Sequence, residues 1–150
     1  MKKKLFYYLS SLLVSALILS SCSDDDNDTQ KPIIGITNPV KGAEVYIGEI
    51  LTVTADLSDN EELSEYKIDI HYNGDGHSHS KATEATEFRY NKDFQDAKGK
   101  KSAKVEVKID IPIDIKTGNY HLGIICFDKS GNENHQYIDI VITERIQLNE

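Results

Sequence analysis

The sequence predicts an all-β sandwich of seven strands behind a short export leader. Three observations carry that prediction. After residue 31 no stretch of useful length repeats apolar residues at helical spacing. Short runs rich in Val, Ile, Thr and Tyr recur instead, with Gly, Asn, Asp and Pro turn signals between them. Several of these runs alternate apolar and polar residues, the period of two that puts one face of a strand in a core. Seven such strands in this order suggest an immunoglobulin-like sandwich, two antiparallel sheets around one core.

The elements follow in order. Residues 32–37 read as the first strand, closed by Asn38-Pro39. Residues 50–57 are the second, with Leu51, Val53 and Ala55 on one face. Residues 66–72 are the third, with Tyr66, Ile68, Ile70 and Tyr72 on one face and Lys67, Asp69 and His71 on the other. Residues 87–94 form a weaker fourth strand, and the charged stretch 91–101 reads as its connection to the fifth. The fifth, 103–111, points Val105, Val107, Ile109 and Ile111 inward. The sixth spans 120–127 and the seventh 137–146.

The front of the chain is of a different kind. Lys2, Lys3 and Lys4 precede an apolar run over 5–19, too short for a membrane span of ~20 residues. Leu19-Ser20-Ser21-Cys22 follows, and it resembles a bacterial lipobox. That resemblance implies cleavage before Cys22 and acylation of Cys22, so residues 1–21 are set aside as a signal peptide. Ser23-Asp24-Asp25-Asp26-Asn27-Asp28 resembles the acidic export tag of surface lipoproteins in the Bacteroidetes. It implies lipid anchoring on the outer membrane with exposure at the cell surface. As composition alone, residues 22–31 are a solvated acidic tether, which leaves 32–150 as one domain.

Charge narrows the partners. Removing three lysines with the leader leaves 14 basic against 25 acidic residues, a formal net charge of −11. Nucleic acid is excluded, because its affinity rests on Lys and Arg contacts to phosphate. An anionic membrane surface is excluded on the same ground, apart from the lipid anchor. Cations are the small partners that suit such a surface. With Cys22 acylated, Cys126 has no partner for an intramolecular disulfide.

Residues 117–132 (Thr-Gly-Asn-Tyr-His-Leu-Gly-Ile-Ile-Cys-Phe-Asp-Lys-Ser-Gly-Asn) resemble the F strand and F–G turn of bacterial immunoglobulin-like and cadherin-like domains. With Asp-Asn-Glu-Glu-Leu at 59–63, Gly-His-x-His at 76–79 and Tyr-His-Leu at 120–122, the chain is similar to an uncharacterised family of Bacteroidetes immunoglobulin-like lipoproteins. The similarity covers most of the mature chain. It implies a fold and a location, and no activity.

Histidine carries the strongest chemical signal. Three of the five histidines fall in His71-Tyr72-Asn73-Gly74-Asp75-Gly76-His77-Ser78-His79. Neutral imidazole is the commonest transition-metal ligand. In an immunoglobulin-like sheet the third and sixth strands, C and F, are antiparallel neighbours. His71 is then the last outward residue of C and His121 the first outward residue of F, on one face at one end. The connection after C, which the seven-strand scheme makes a C–D loop, emerges at that end. Its glycines let His77 and His79 fold back over the pair. Asp75 is a further oxygen ligand or a carboxylate acceptor for a ligating imidazole. His135, expected ~20 Å away at the far end of F, is excluded. With no Met in the mature chain and Cys126 in the core, Zn(II) comes first and Cu(II) second. The competing account is a solvated Gly/Asp/Ser/His turn beside an exposed polar pair. A pH-sensitive histidine pair is a third.

Other candidates are weaker. Asp56 and Asp59, in the B–C loop read over 56–62 as the second strand ends, and Asp128 and Asn132 after the sixth, share the opposite end and offer oxygens suited to Ca²⁺. Neither run has EF-hand spacing, and Asp and Asn serve turn backbones in any case. No nucleophile elbow, His-Glu-x-x-His or phosphate loop is present, so the chain is expected not to be an enzyme. The expected function is metal capture, sensing or structural use of a metal, with a membrane transporter or surface protein as partner. An adhesion module that docks protein or glycan on its exposed sheet face is the alternative. A zinc-dependent hydrolase is the second alternative.

Overall fold

The computed structural model describes residues 28–74 and 86–146. All regular elements among them are strands, and there are eight: β1 (Ile33–Asn38), β2 (Ala43–Tyr46), β3 (Ile50–Ser58), β4 (Leu63–Tyr72), β5 (Tyr90–Phe94), β6 (Ser102–Asp110), β7 (Gly118–Asp128) and β8 (Glu133–Thr143). They form two sheets, β1-β3-β6 and β2-β8-β7-β4-β5. This is an immunoglobulin-like sandwich, and the alternation of the sequence puts its core where expected. Val53, Ala55, Ile68, Ile70, Leu122, Ile124, Cys126, Ile140 and Ile142 are fully buried between the sheets.

Two expectations are corrected. The eighth strand, β2, pairs in parallel with β8, Ala43 opposite Ile140 through Tyr46 opposite Thr143. It has four residues and buries only Val45, so it carries no periodic signal. The second correction concerns β5. It pairs with β4, Tyr66 opposite Phe94 through Ile70 opposite Tyr90, and so extends the β4–β7–β8 sheet. β4 and β5 are therefore neighbours in one sheet, and the chain crosses to the other sheet after β5. Phe94 stacks on Tyr66 with ring centroids 5.0 Å apart. Two inward aromatics on an otherwise polar edge strand do not reveal which sheet they join.

One end of the β4–β7 pair is built on aromatic packing. Tyr72 and Tyr120 face each other in register on the inner face, with centroids 5.3 Å apart and planes at 80°. The Tyr120 hydroxyl donates to Lys116 O at 2.6 Å and accepts from the Phe88 N–H at 3.2 Å. Burial raises the Tyr120 hydroxyl above its ordinary pKa and keeps it a donor. Gly118 opens β7 at φ 136°, and a Cβ there would stand 3.2 Å from the Tyr72 ring. Both strand ends are thus held before any side chain on the outer face is considered.

Candidate functional site

The outer face above this aromatic base carries the histidines. His71 lies opposite His121 in the β4–β7 register, and His121 lies opposite Asp139 in the β7–β8 register. The parity argument from sequence therefore puts the pair where the structure has it. The ring centroids are 5.4 Å apart at 85°. Each ring has a carboxylate neighbour that the sequence reasoning did not include. His71 Nδ1 is 2.7 Å from Asp69 Oδ2, and the other Asp69 oxygen accepts from Asn91 Nδ2 at 2.9 Å. His121 Nε2 is 3.1 Å from Asp139 Oδ1 and 2.8 Å from Asn73 Nδ2. The signal for Asp69 was its position two residues before His71 on the same face. Asp139 required the β8 register.

This arrangement sorts the ring nitrogens. With Nδ1–H donating to Asp69, His71 keeps its Nε2 lone pair free. His121 Nε2 faces both an acceptor, Asp139 Oδ1, and a donor, Asn73 Nδ2; it serves one or the other, and only donation to Asp139 leaves Nδ1 free for an ion. Ligating histidines commonly donate their other ring N–H to a carboxylate in this way. The side chains are 35% and 38% exposed, so solvent reaches both rings. Two imidazoles on one tetrahedral Zn(II), at ~2.0–2.1 Å per nitrogen, have centroids ~5 Å apart, close to the spacing seen here. Two nitrogens are not a complete site. Asp75, His77 and His79 lie outside the described residues, as does Cys22. The chain leaves β4 at Asn73, whose N–H donates to Asn119 O at 2.9 Å beside the pair.

His135 sits nearer than expected. It is opposite Ile125, four residues along β7 from His121, which is ~13 Å at ~3.3 Å per residue. It pairs with Glu133 and takes no part in the site.

The opposite end gathers oxygens. Among the described residues, the one group of three or more His, Cys, Asp or Glu side chains with ligand atoms within 4.8 Å of one another is Asp28, Asp59 and Asp128. Asp59 follows β3 and its Oδ1 accepts the N–H groups of Glu61 and Glu62 at 2.9 and 3.0 Å. Asp128 ends β7, is 3% exposed, and accepts from Asn132 N at 2.8 Å and Asn132 Nδ2 at 2.6 Å. Asn132 Nδ2 also donates to Asp28 O at 2.9 Å. Asp59, Asp128 and Asn132 thus meet as the sequence suggested. Asp56 does not: it lies on the outward face of β3, exposed, opposite Lys104. Asp28 was missed because its acidic surroundings read as tether. Between these loops Cys126 is buried, and burial, with the Asp59 and Asp128 carboxylates adding to it, pushes its thiol up to about 11.

Comparison with known proteins bears on fold and family. A family model described as a domain of unknown function, DUF4625, matches residues 20–143. No curated protein matches the chain. Among solved structures, the fibronectin(III)-like modules of Clostridium thermocellum CbhA are 16% identical at TM-score 0.49, over 77% of this chain and 100% of that one. OgpA from Akkermansia muciniphila is 13% identical at TM-score 0.47, over 75% of this chain and 29% of its own. The CARDB domain of a Pyrococcus furiosus protein, solved in complex with di-metal ions, is 10% identical at TM-score 0.40, over 79% and 97%. These are likenesses of shape and carry nothing about activity.

Proposed function

The chain belongs to the DUF4625 family, a domain of unknown function, and from that premise we propose that it binds Zn(II) or Cu(II) at its histidine end. His71 and His121 supply two imidazole nitrogens, and His77 and His79 supply the rest. Asp69 holds Nδ1 of His71 and so turns its Nε2 to the ion; in the metal-loaded chain Asp139, rather than Asn73, takes His121 Nε2–H and turns Nδ1 to the ion. The observation that carries this is the cross-strand pair itself, in register, with a carboxylate behind each ring. Nitrogen donors without sulfur favour Zn(II) and Cu(II) over Cu(I).

The module is a binding protein in this proposal, exported and lipid-anchored through Cys22 in the manner of Bacteroidetes surface lipoproteins with a Gly-His-x-His motif. It captures or senses the metal, passes it to a membrane transporter or surface protein, or uses it structurally. Calorimetric titration of the mature chain tests the binding. One equivalent of Zn(II) should bind well below ~1 mM. His121→Ala should remove most of that affinity, Asp69→Asn should lower it by roughly 10–100-fold, and His135→Ala should leave it unchanged. Binding no tighter than millimolar, or equal loss in His135→Ala, would sink the proposal and favour the adhesion module.

A further inference from the structure

We propose a second cation site, for Ca²⁺, at the other end of the sandwich, formed by Asp28, Asp59 and Asp128. This goes beyond the histidine site and shares no residue with it. The three carboxylates approach within 4.8 Å of one another. Among the described residues no Lys or Arg forms an ion pair with any of them. Two lysines of the adjoining segments are engaged elsewhere: Lys129 with Glu62 at 3.2 Å, and Lys101 with Asn60 O at 2.9 Å.

Proximity of acids alone does not make a site. The second observation is at the level of single oxygens. Asp28 Oδ2 and Asp59 Oδ2 are both sealed from solvent and have no hydrogen-bond partner. A buried carboxylate oxygen without a partner is strongly unfavourable, and folded proteins leave few of them. The sister oxygens are both engaged. Asp28 Oδ1 accepts from Gln30 N at 3.0 Å, and Asp59 Oδ1 accepts from Glu61 and Glu62 N. Each aspartate therefore uses one oxygen to hold its own loop and leaves the other buried and unpaired. Asp128, almost wholly buried, completes the set. A cation satisfies both orphaned oxygens and neutralises the like charges together.

The donor atoms select the ion. They are all carboxylate oxygens, and Asn132 Nδ2 braces the set by donating to the Asp28 carbonyl and to Asp128 Oδ2. Ca²⁺ takes 6–8 oxygens in adaptable geometry, whereas Mg²⁺ requires a near-octahedral set and retains its water. Zn(II) prefers nitrogen and sulfur. The three ligands come from three places: the segment before β1, the β3–β4 loop and the β7–β8 turn. Binding would lock the N-terminal segment against the two loops, and so set the direction in which the chain leaves the domain.

Thermal unfolding of the full chain with and without Ca²⁺ tests this, using CaCl₂ itself as the probe. The midpoint should rise with CaCl₂ over roughly 10⁻⁴–10⁻³ M, the range of extracellular modules, and reach roughly 5 °C or more at saturation. MgCl₂ should give a smaller shift at equal concentration. Asp59→Asn keeps the acceptor for the loop amides and should abolish the Ca²⁺ response. Asp28→Asn, which lies outside the strands, is the second variant should Asp59→Asn fail to fold, and should weaken the response at least tenfold. Asp56→Asn and His71→Ala should respond like the parent. No shift at 10 mM CaCl₂, or a shift that survives Asp28→Asn unchanged, overturns the site. Neither result touches Zn(II) binding, which is scored separately in the His121→Ala chain.

Discussion

At the scale of residues, the histidine end depends on which ring nitrogen is left free. Asp69 decides this for His71, and the competition between Asp139 and Asn73 for Nε2 decides it for His121. Both lie in pairs with a register or face that the sequence alone half-reveals. Asp69 was legible as an outward residue of the same strand, but its hydrogen bond was not. Asp28 was not legible at all, because in an acidic segment one aspartate looks like the next. Only the tertiary approach of three loops distinguishes it. The buried thiol of Cys126 gives a residue-level prediction about pH. Its pKa is raised from 9.0 to about 11, chiefly by burial. The folded chain therefore holds the proton where the unfolded chain has lost it. Stability from this group is intact below pH ~9 and falls as pH rises from ~9 to ~11, by on the order of 2–3 kcal/mol. Denaturant unfolding over pH 8–11 should show this fall, shallower in Cys126→Ala. Parallel slopes in the two chains would mean that the thiol is not responsible.

At the scale of elements, strand parity made most of the fold legible. Alternation in β3, β4 and β7 gave the inner and outer faces correctly, because a half-buried strand must alternate. What parity does not encode is pairing. β2 is too short to alternate, and the membership of β5 is decided by backbone hydrogen bonds to β4. The outer face of β7 has its own device. A Cβ on Gly123 would lie 2.2 Å from Tyr137 Cε1, so the half-exposed Tyr137 ring lies over a position that must lack a side chain. Asp69 flanks the same glycine from β4. Gly123→Ala should destabilise the parent by about 1 kcal/mol as the ring is displaced. In a Tyr137→Ala chain it should instead stabilise by roughly 0.5 kcal/mol, because alanine suits a strand better than glycine. A double-mutant cycle in urea measures the difference. Equal effects in both backgrounds would remove Tyr137 from the explanation.

At the scale of the whole molecule, the sandwich has two chemically distinct ends. The nitrogen donors sit where β4 ends and β7 begins, and the oxygen donors sit where β7 ends and the chain enters β1. Contacts of the domain reach back to Asp28, inside the segment that composition assigns to a tether. Under the proposed lipid anchoring through Cys22, the tether joins the domain at its oxygen end, and the histidine end is expected to face away from the membrane. Fluorescence distances from a bilayer to labels at the two ends test this, and a histidine end closer to the bilayer than Asp28 would refute it. The net charge of −8 for the full chain fits a surface that recruits cations. The central claim is that a transition metal sits between β4 and β7. X-ray absorption at the zinc edge of the Zn(II)-loaded chain tests it most directly. Nitrogen neighbours at ~2.0–2.1 Å, with imidazole scattering that drops in His121→Ala, are the predicted result. A zinc ion surrounded by oxygen alone, or a spectrum that His121→Ala leaves unchanged, would contradict it.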